Sequence, residues 1–301
     1  MRMRAATVSR FGGPEAVEIT ELPVPVAGPG QVRIKVAAAA LNPVDAAMRS
    51  GVFGGGDGAR IGLGWDVAGT IDAVGDGAGW AVGDRVIGLA TGHRTPLGTH
   101  AEYAVLDADA IAAAPATLND IHAAALPLNA LSALQALEML ALHPGQNLLV
   151  TGAAGGVGGH AVELAHHRGL KITALASASD EEFVVSRGAD HFLSRGRTPT
   201  PADFDGVLDA AMLGRDALAA VRDGGTYIGV WPGQEPQPER GIRIDALDVR
   251  ADSAQLAVLA RLADTGALLP RVAQTHPLDA AATAHARLAE GGLRGRIVLV
   301  P

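Results

Sequence analysis

The residues best suited to chemistry lie in Asn147–Gly159, which reads NLLVTGAAGGVGG. Leu148, Leu149 and Val150 form a short apolar run that ends abruptly in small residues, the pattern of a buried parallel strand stopping at a tight turn. Behind the turn, residues 160–168 carry Ala161, Leu164 and Ala165 at helical spacing, and Gly169 ends the run. Ala153-x-Gly155-x-x-Gly158 matches the dinucleotide-binding turn with its first glycine replaced. Gly155 would let the backbone approach a pyrophosphate, and Gly158 would let the helix pack close to the strand. Free N–H groups at the helix start, with the positive end of its dipole, would hold the phosphates. Gly152, Ala153, Ala154, Gly155, Gly156 and Val157 are therefore expected to contact a dinucleotide. A flexible loop is the competing reading in a chain with 39 glycines. The strand before, the helix after and a second strand at Lys171–Ala176 favour the binding turn.

That second strand ends Leu175-Ala-Ser-Ala-Ser179. An acidic residue there would hold ribose hydroxyls and repel a 2′-phosphate, whereas Ser177 and Ser179 can donate to one. NADP(H) is the expected cofactor, with Arg195 as the nearest cation. Asp180 stands close to the same place, and the serines could instead cap the helix over 180–187. Gly229 and Val230 end another parallel strand, where open sheets bind ligands. Trp231, just beyond, would close a cleft or lie on the surface.

The elements that must position these residues divide the chain. Residues 1–120 read as short strands separated by Gly and Pro, with Val32, Ile34 and Val36 alternating against polar residues. Such a run suggests a small barrel or sandwich. From about Asn119 the texture changes to Ala- and Leu-rich helix, and then strands and helices alternate, as in a doubly wound parallel sheet. The fold class expected is α/β: a β-rich domain over 1–120, completed by the tail 266–301, and a Rossmann domain over 121–265. A helix over Ser253–Ala263 would present Leu256, Leu259 and Leu262 inward.

Composition removes other classes. The formal charge of -8 argues against a nucleic-acid binder, which needs a basic stripe. The absence of cysteine excludes disulfides and every thiolate zinc site. The start has no apolar signal segment and no run is long enough to span a bilayer, so a cytoplasmic protein without membrane partners is expected. His93 and His100 have no metal-like spacing and are read as loop residues, and His166-His167 as a solvated helix end.

Several collinear stretches resemble the zinc-independent quinone oxidoreductases of the medium-chain dehydrogenase/reductase superfamily. They are Leu41-Asn-Pro-Val-Asp45, Arg49-Ser-Gly51, Gly64-Trp-Asp-Val-Ala-Gly69, Gly83-Asp-Arg-Val86, Ala101-Glu-Tyr103, Thr151–Gly158, Arg187-Gly-Ala-Asp190 and Arg294-Gly-Arg-Ile-Val-Leu299. The resemblance implies a GroES-like domain beside the Rossmann domain, a homodimer, and hydride transfer from NADPH to a quinone or α,β-unsaturated carbonyl without metal. It places Asn42 and Asp45 at the nicotinamide pocket as the catalytic pair. Leu128, Asn129 and Leu131 would pack against the ring, and Arg294 or Arg296 would reach the cofactor. Ala47 departs from the family, which often has Tyr there; that removes a stacking surface and a phenol and weakens the case for simple quinones. Phe53 would supply an aromatic wall or lie in the core. Two other readings stand beside the leading one: an enoyl-thioester reductase, and an NADPH-binding redox sensor with little turnover.

Overall fold

The computed structural model describes residues 1–54, 60–92, 96–197, 199 and 201–301. The chain separates into two units. Unit 1 comprises Met1–Leu128, Arg250–Thr265 and Pro270–Pro301; unit 2 comprises Asn129–Val249 and Gly266–Leu269.

Unit 1 starts with β1 (Arg2–Val8), β2 (Glu18–Pro23) and the long β3 (Gln31–Leu41). Helix α1 (Pro43–Ser50) follows, then β4 (Ile61–Gly62), β5 (Asp66–Val74), β6 (Arg85–Leu89), β7 (Tyr103–Asp107) and β8 (Ile111–Ala113). Helix α2 (Asp120–Ala124) precedes α3 (Pro127–Leu140), whose first two residues belong to this unit and the rest to unit 2. The alternation read in β3 is real: Val32, Ile34 and Val36 are buried together with Val67, Ile71 and Val86 from β5 and β6. β1 carries a small three-stranded sheet, while β3 centres a larger one by pairing antiparallel with β5 and β7.

Unit 2 is a six-stranded parallel sheet in the order β11-β10-β9-β12-β13-β14. Its strands are β9 (Asn147–Thr151), β10 (Lys171–Ala176), β11 (His191–Ser194), β12 (Phe204–Asp209), β13 (Val221–Gly229) and β14 (Arg243–Ala246). Helices α4 (Gly156–His167), α5 (Glu181–Ser186) and α6 (Arg215–Leu218) link them. The central strands β9 and β12 are almost wholly buried, as a sheet covered on both faces requires.

The chain then returns to unit 1 through α7 (Ser253–Asp264), β15 (Val272–Pro277), α8 (Ala281–Ala289) and β16 (Arg296–Val300). β16 pairs antiparallel with β3 at Ile297↔Leu41, which carries the tail into the first unit's sheet. The division differs from the expected one at α7, assigned above to the Rossmann domain. Leu256 and Leu259 are buried as its spacing demanded, but the helix packs beside β8, and Thr117 donates to Asp264 at its end. Its amphipathic pattern told which face is buried, not against which sheet. Among the described residues, no helix is long and apolar enough to cross a membrane.

Candidate functional site

In unit 2 the glycine turn has the form its residues demand. Gly152 takes φ +60°, and a Cβ on Gly158 would lie 2.2 Å from the Gly152 carbonyl oxygen. Only a hydrogen at 158 lets α4 begin so close to β9. Ala153, which stands where the pattern has its first glycine, is fully buried and donates its N–H to Leu175. The N-cap is Gly155, with no side-chain cap, and α4 starts at Gly156, four residues earlier than the periodicity placed it. Gly156 and Val157 thus form the open first turn of a twelve-residue helix, where uncapped N–H groups favour an anion. Ala154 sits part-exposed in the turn. Uncapped donors and a cradle that a Cβ would fill together fit a pyrophosphate.

β10 and β11 bring the next two candidates to one edge. Ala176 pairs with Ser194, and Arg195 donates its N–H to the Ala176 carbonyl at 2.7 Å. Arg195 is exposed beside the part-exposed Ser177 and exposed Ser179. Ser177 precedes a short turn of 3-10 helix without capping it, so its hydroxyl is not engaged as the alternative required. Asp180 is buried.

β13 ends at Gly229, which accepts from Leu247 at 2.8 Å. Gly229, Val230 and Trp231 line a cavity of ≈ 440 Å³ together with Asp209, Met212, Gly214 and Tyr227. Asp209 and Tyr227 escaped the sequence reading. Asp209 is fully buried, accepts the Thr151 hydroxyl at 2.6 Å through Oδ1, and through Oδ2 accepts Gly214 N–H at 2.8 Å and the Tyr227 hydroxyl at 2.7 Å. Burial, reinforced by that hydrogen bond, raises the Tyr227 phenol well above its usual range, so it stays a donor. An Asp ending a buried strand was the available signal.

In unit 1, Asn42 opens α1 and is fully buried, as is Asp45. Asp45 accepts the Asn42 N–H at 2.8 Å and the Gly64 N–H at 3.0 Å, one with each oxygen. Burial pushes its carboxyl upward, partly offset by His100 and these two N–H groups. Both oxygens serve the main chain, tying the start of α1 to Gly64. Asn42 instead faces Asp66, donating through Nδ2 to Oδ2 at 2.6 Å, while Leu128 N–H donates to Oδ1 at 2.6 Å. Burial pushes the Asp66 carboxyl to about 7 against these two bonds, with Asp45 adding repulsion and Arg296 opposing it. Arg296 Nη1 donates to Asn42 Oδ1 at 3.4 Å. Arg294 is exposed on the same tail, while Arg296 is part-buried.

His100 lies in the loop between β6 and β7, as expected, but is enclosed there. It is buried, with Nε2 on the Ala40 carbonyl at 3.0 Å, in edge contact with the buried His285. His285 receives Arg49 at 3.1 Å, and burial lowers its imidazole to about 3. His93 lies outside the described residues, as do residues 55–59 and 94–95. His166 and His167 are exposed, Phe53 is half-buried, and Ala47 is buried. Leu128, Asn129 and Leu131 are all buried.

Comparison with known proteins gives two family matches: "Alcohol dehydrogenase GroES-like domain" over residues 28–116 and "Zinc-binding dehydrogenase" over residues 181–299. The quinone oxidoreductase of Homo sapiens is 30% identical over 99% of this chain and 98% of its own length. An NADPH-dependent alkenal/one oxidoreductase of Arabidopsis thaliana is 33% identical over 75% of this chain and 62% of its own. The solved quinone oxidoreductase of Coxiella burnetii superposes with a TM-score of 0.87 at 26% identity, covering 100% of both chains.

Proposed function

Because the chain belongs to the quinone oxidoreductase family of the medium-chain dehydrogenase/reductase superfamily, we propose that it reduces a quinone or an α,β-unsaturated carbonyl at the expense of NADPH. The observation that carries this reading is the uncapped start of α4 beside the Gly152–Gly158 contact, a built cradle for a dinucleotide pyrophosphate.

Gly152–Val157 would hold the pyrophosphate. Ser177, Ser179 and Arg195 would take the 2′-phosphate, and Gly229 and Val230 the nicotinamide end. Reduced nicotinamide supplies the hydride when bound. What remains for the protein is to orient the acceptor, exclude water and stabilise the oxygen on which charge collects. Asn42 contributes through the hydrogen bonds that fix its amide, and Asp45 by holding Asn42 at the head of α1. Arg294 is left to the solvent side.

A zinc centre does not fit the donor set. The chain has no thiolate, and no group of three His, Asp or Glu clusters among the described residues. No step is therefore assigned to a metal. Buried Ala47 in place of a family Tyr favours an enone over a quinone that needs stacking. A homodimer in the cytoplasm is part of the same reading.

Mixing protein with NADPH and a small enone, then a quinone, and following loss of the reduced nicotinamide absorbance tests this. Turnover with the enone at higher kcat/KM is expected. NADPH binding without turnover of either acceptor would favour the redox-sensor alternative.

A further inference from the structure

Arg296 is the feature of unit 1 whose surroundings ask for a ligand. It is part-exposed on β16, yet its Nε is sealed from solvent and has no hydrogen-bond partner. Among the described residues it makes no ion pair. Its one side-chain hydrogen bond among the described residues is the long contact from Nη1 to the Asn42 amide; its main-chain N–H donates to the Arg271 carbonyl. A sealed, unpaired guanidinium N–H is costly and calls for an explanation.

The chain of groups behind it has a single polarity. A guanidinium only donates, and both oxygens of Asp66 accept here, from Asn42 Nδ2 and from the Leu128 N–H. Asn42 lies between them, so its amide has one permitted orientation: Nδ2 toward Asp66 and Oδ1 toward Arg296. Asp66 is held in turn by the Leu128 N–H at the start of α3. The amide therefore cannot swing without placing donor against donor at Arg296 and oxygen against oxygen at Asp66. The other charged group facing Asp66 is Asp45 from α1, with His100 facing Asp45 from beyond.

Resting on the reductase reading above, we propose that Arg296 receives the negative charge developing on the carbonyl oxygen of the acceptor, with Asp66 and Asn42 as positioning residues that aim its guanidinium. With an enone, two electrons arrive with hydride at the β-carbon and the C=C pair shifts to form an enolate. Its oxygen takes the charge beside Arg296, and a proton from water then completes the α-carbon. A guanidinium suits that role because it stays charged despite burial and offers planar donors to one oxygen. This replaces the cofactor contact expected for Arg296.

The test compares the parent protein with R296M, R296K and D66N, using NADPH and a small enone. Binding is measured separately with 4-nitrophenol, a mimic of the charged oxygen, added to protein saturated with NADP⁺. The expected result is a kcat loss of about 100-fold in R296M, the size typical of removing one oxyanion donor, with NADPH affinity unchanged. R296K should recover part of it, and D66N should fall between. The parent should bind nitrophenol as its coloured anion, and R296M should not. Unchanged kcat in R296M and R296K overturns the assignment while leaving the reductase reading intact, as does a loss confined to NADPH affinity. A parent protein inert toward every acceptor overturns both. Should R296M fail to fold, R296K and the nitrophenol spectrum decide alone.

Discussion

Tyr227 donates its hydroxyl to Asp209 Oδ2 across 2.7 Å, joining the ends of two neighbouring parallel strands through one buried carboxylate. The same carboxylate holds Thr151, the residue before the glycine turn, and Gly214, in the loop after β12. The strands β9 and β13 and the loop after β12 thus share one anchor. Y227F removes one donor and leaves the other two, so a stability loss of about 1 kcal/mol is expected. D209A strands three donors and should cost roughly 2–4 kcal/mol. Urea unfolding measures both, and a fluorescence titration should show NADPH affinity falling in the same order. Equal affinity in all three proteins would refute the shared anchor.

The glycine turn makes a sharper prediction. A side chain at 158 meets backbone rather than a flexible group, 2.2 Å from the Gly152 oxygen. G158V should displace α4 from β9, destabilise unit 2 by about 1–3 kcal/mol, and abolish dinucleotide binding at concentrations that saturate the parent. Calorimetric titration with NADPH reads this directly.

Cofactor choice should depend on Arg195. It is exposed, and its main-chain N–H donates to Ala176, the residue before Ser177. R195A is expected to weaken NADPH binding about tenfold, the scale of one charge-assisted contact, and to leave NADH unaffected. Parallel losses for both dinucleotides would contradict the assignment.

Two buried groups tilt stability with pH in opposite senses. Asp66 has its carboxyl raised to about 7, so the folded chain holds this proton where the unfolded chain has released it. Its favourable contribution is complete below the ordinary carboxylate range and disappears as pH rises through about 7. His285 is lowered to about 3, so acid favours the unfolded chain and stability falls as pH drops below its ordinary 6.5. Relative to the parent, D66N should gain stability on going from acid to neutral pH, and H285N on going the other way. Urea midpoints at about pH 4.5 and pH 7.5 compare the two signs. A shift of the same sign in both variants would contradict these environments.

Much of this was legible in the residues, and the gaps have identifiable causes. Strand and helix placement followed from periodicity: Phe204–Asp209 and the buried alternation of Val32, Ile34 and Val36 needed only local pattern. The start of α4 was placed late because Gly156, Gly158 and Gly159 are poor helix formers, and proximity to the Gly152 backbone overrides propensity there. The cluster around Asn42 was half visible. Asp45 was named for chemistry through the family resemblance, and its spacing from Asn42 makes it a cap. Asp66 and Arg296 lie far apart in the chain and reach the same Asn42 amide only because β16 returns beside β3, a pairing that no local window contains. Asp209 and Tyr227 were missed because parallel pairing, not spacing, aligns their strands.

The polypeptide passes between its two units four times, and the briefest visit, Gly266–Leu269, leaves a mark. Glu163 on α4 reaches Leu269 N–H at 3.3 Å while also engaging His160 and Arg187. A gene fragment stopping at codon 249 would therefore encode a sheet whose interior carboxylate has lost one of its three ties. Shuffling this family by exchanging contiguous blocks should fail more often than exchanging blocks that carry residues 266–269 along, because the second unit is assembled from two separate stretches of chain.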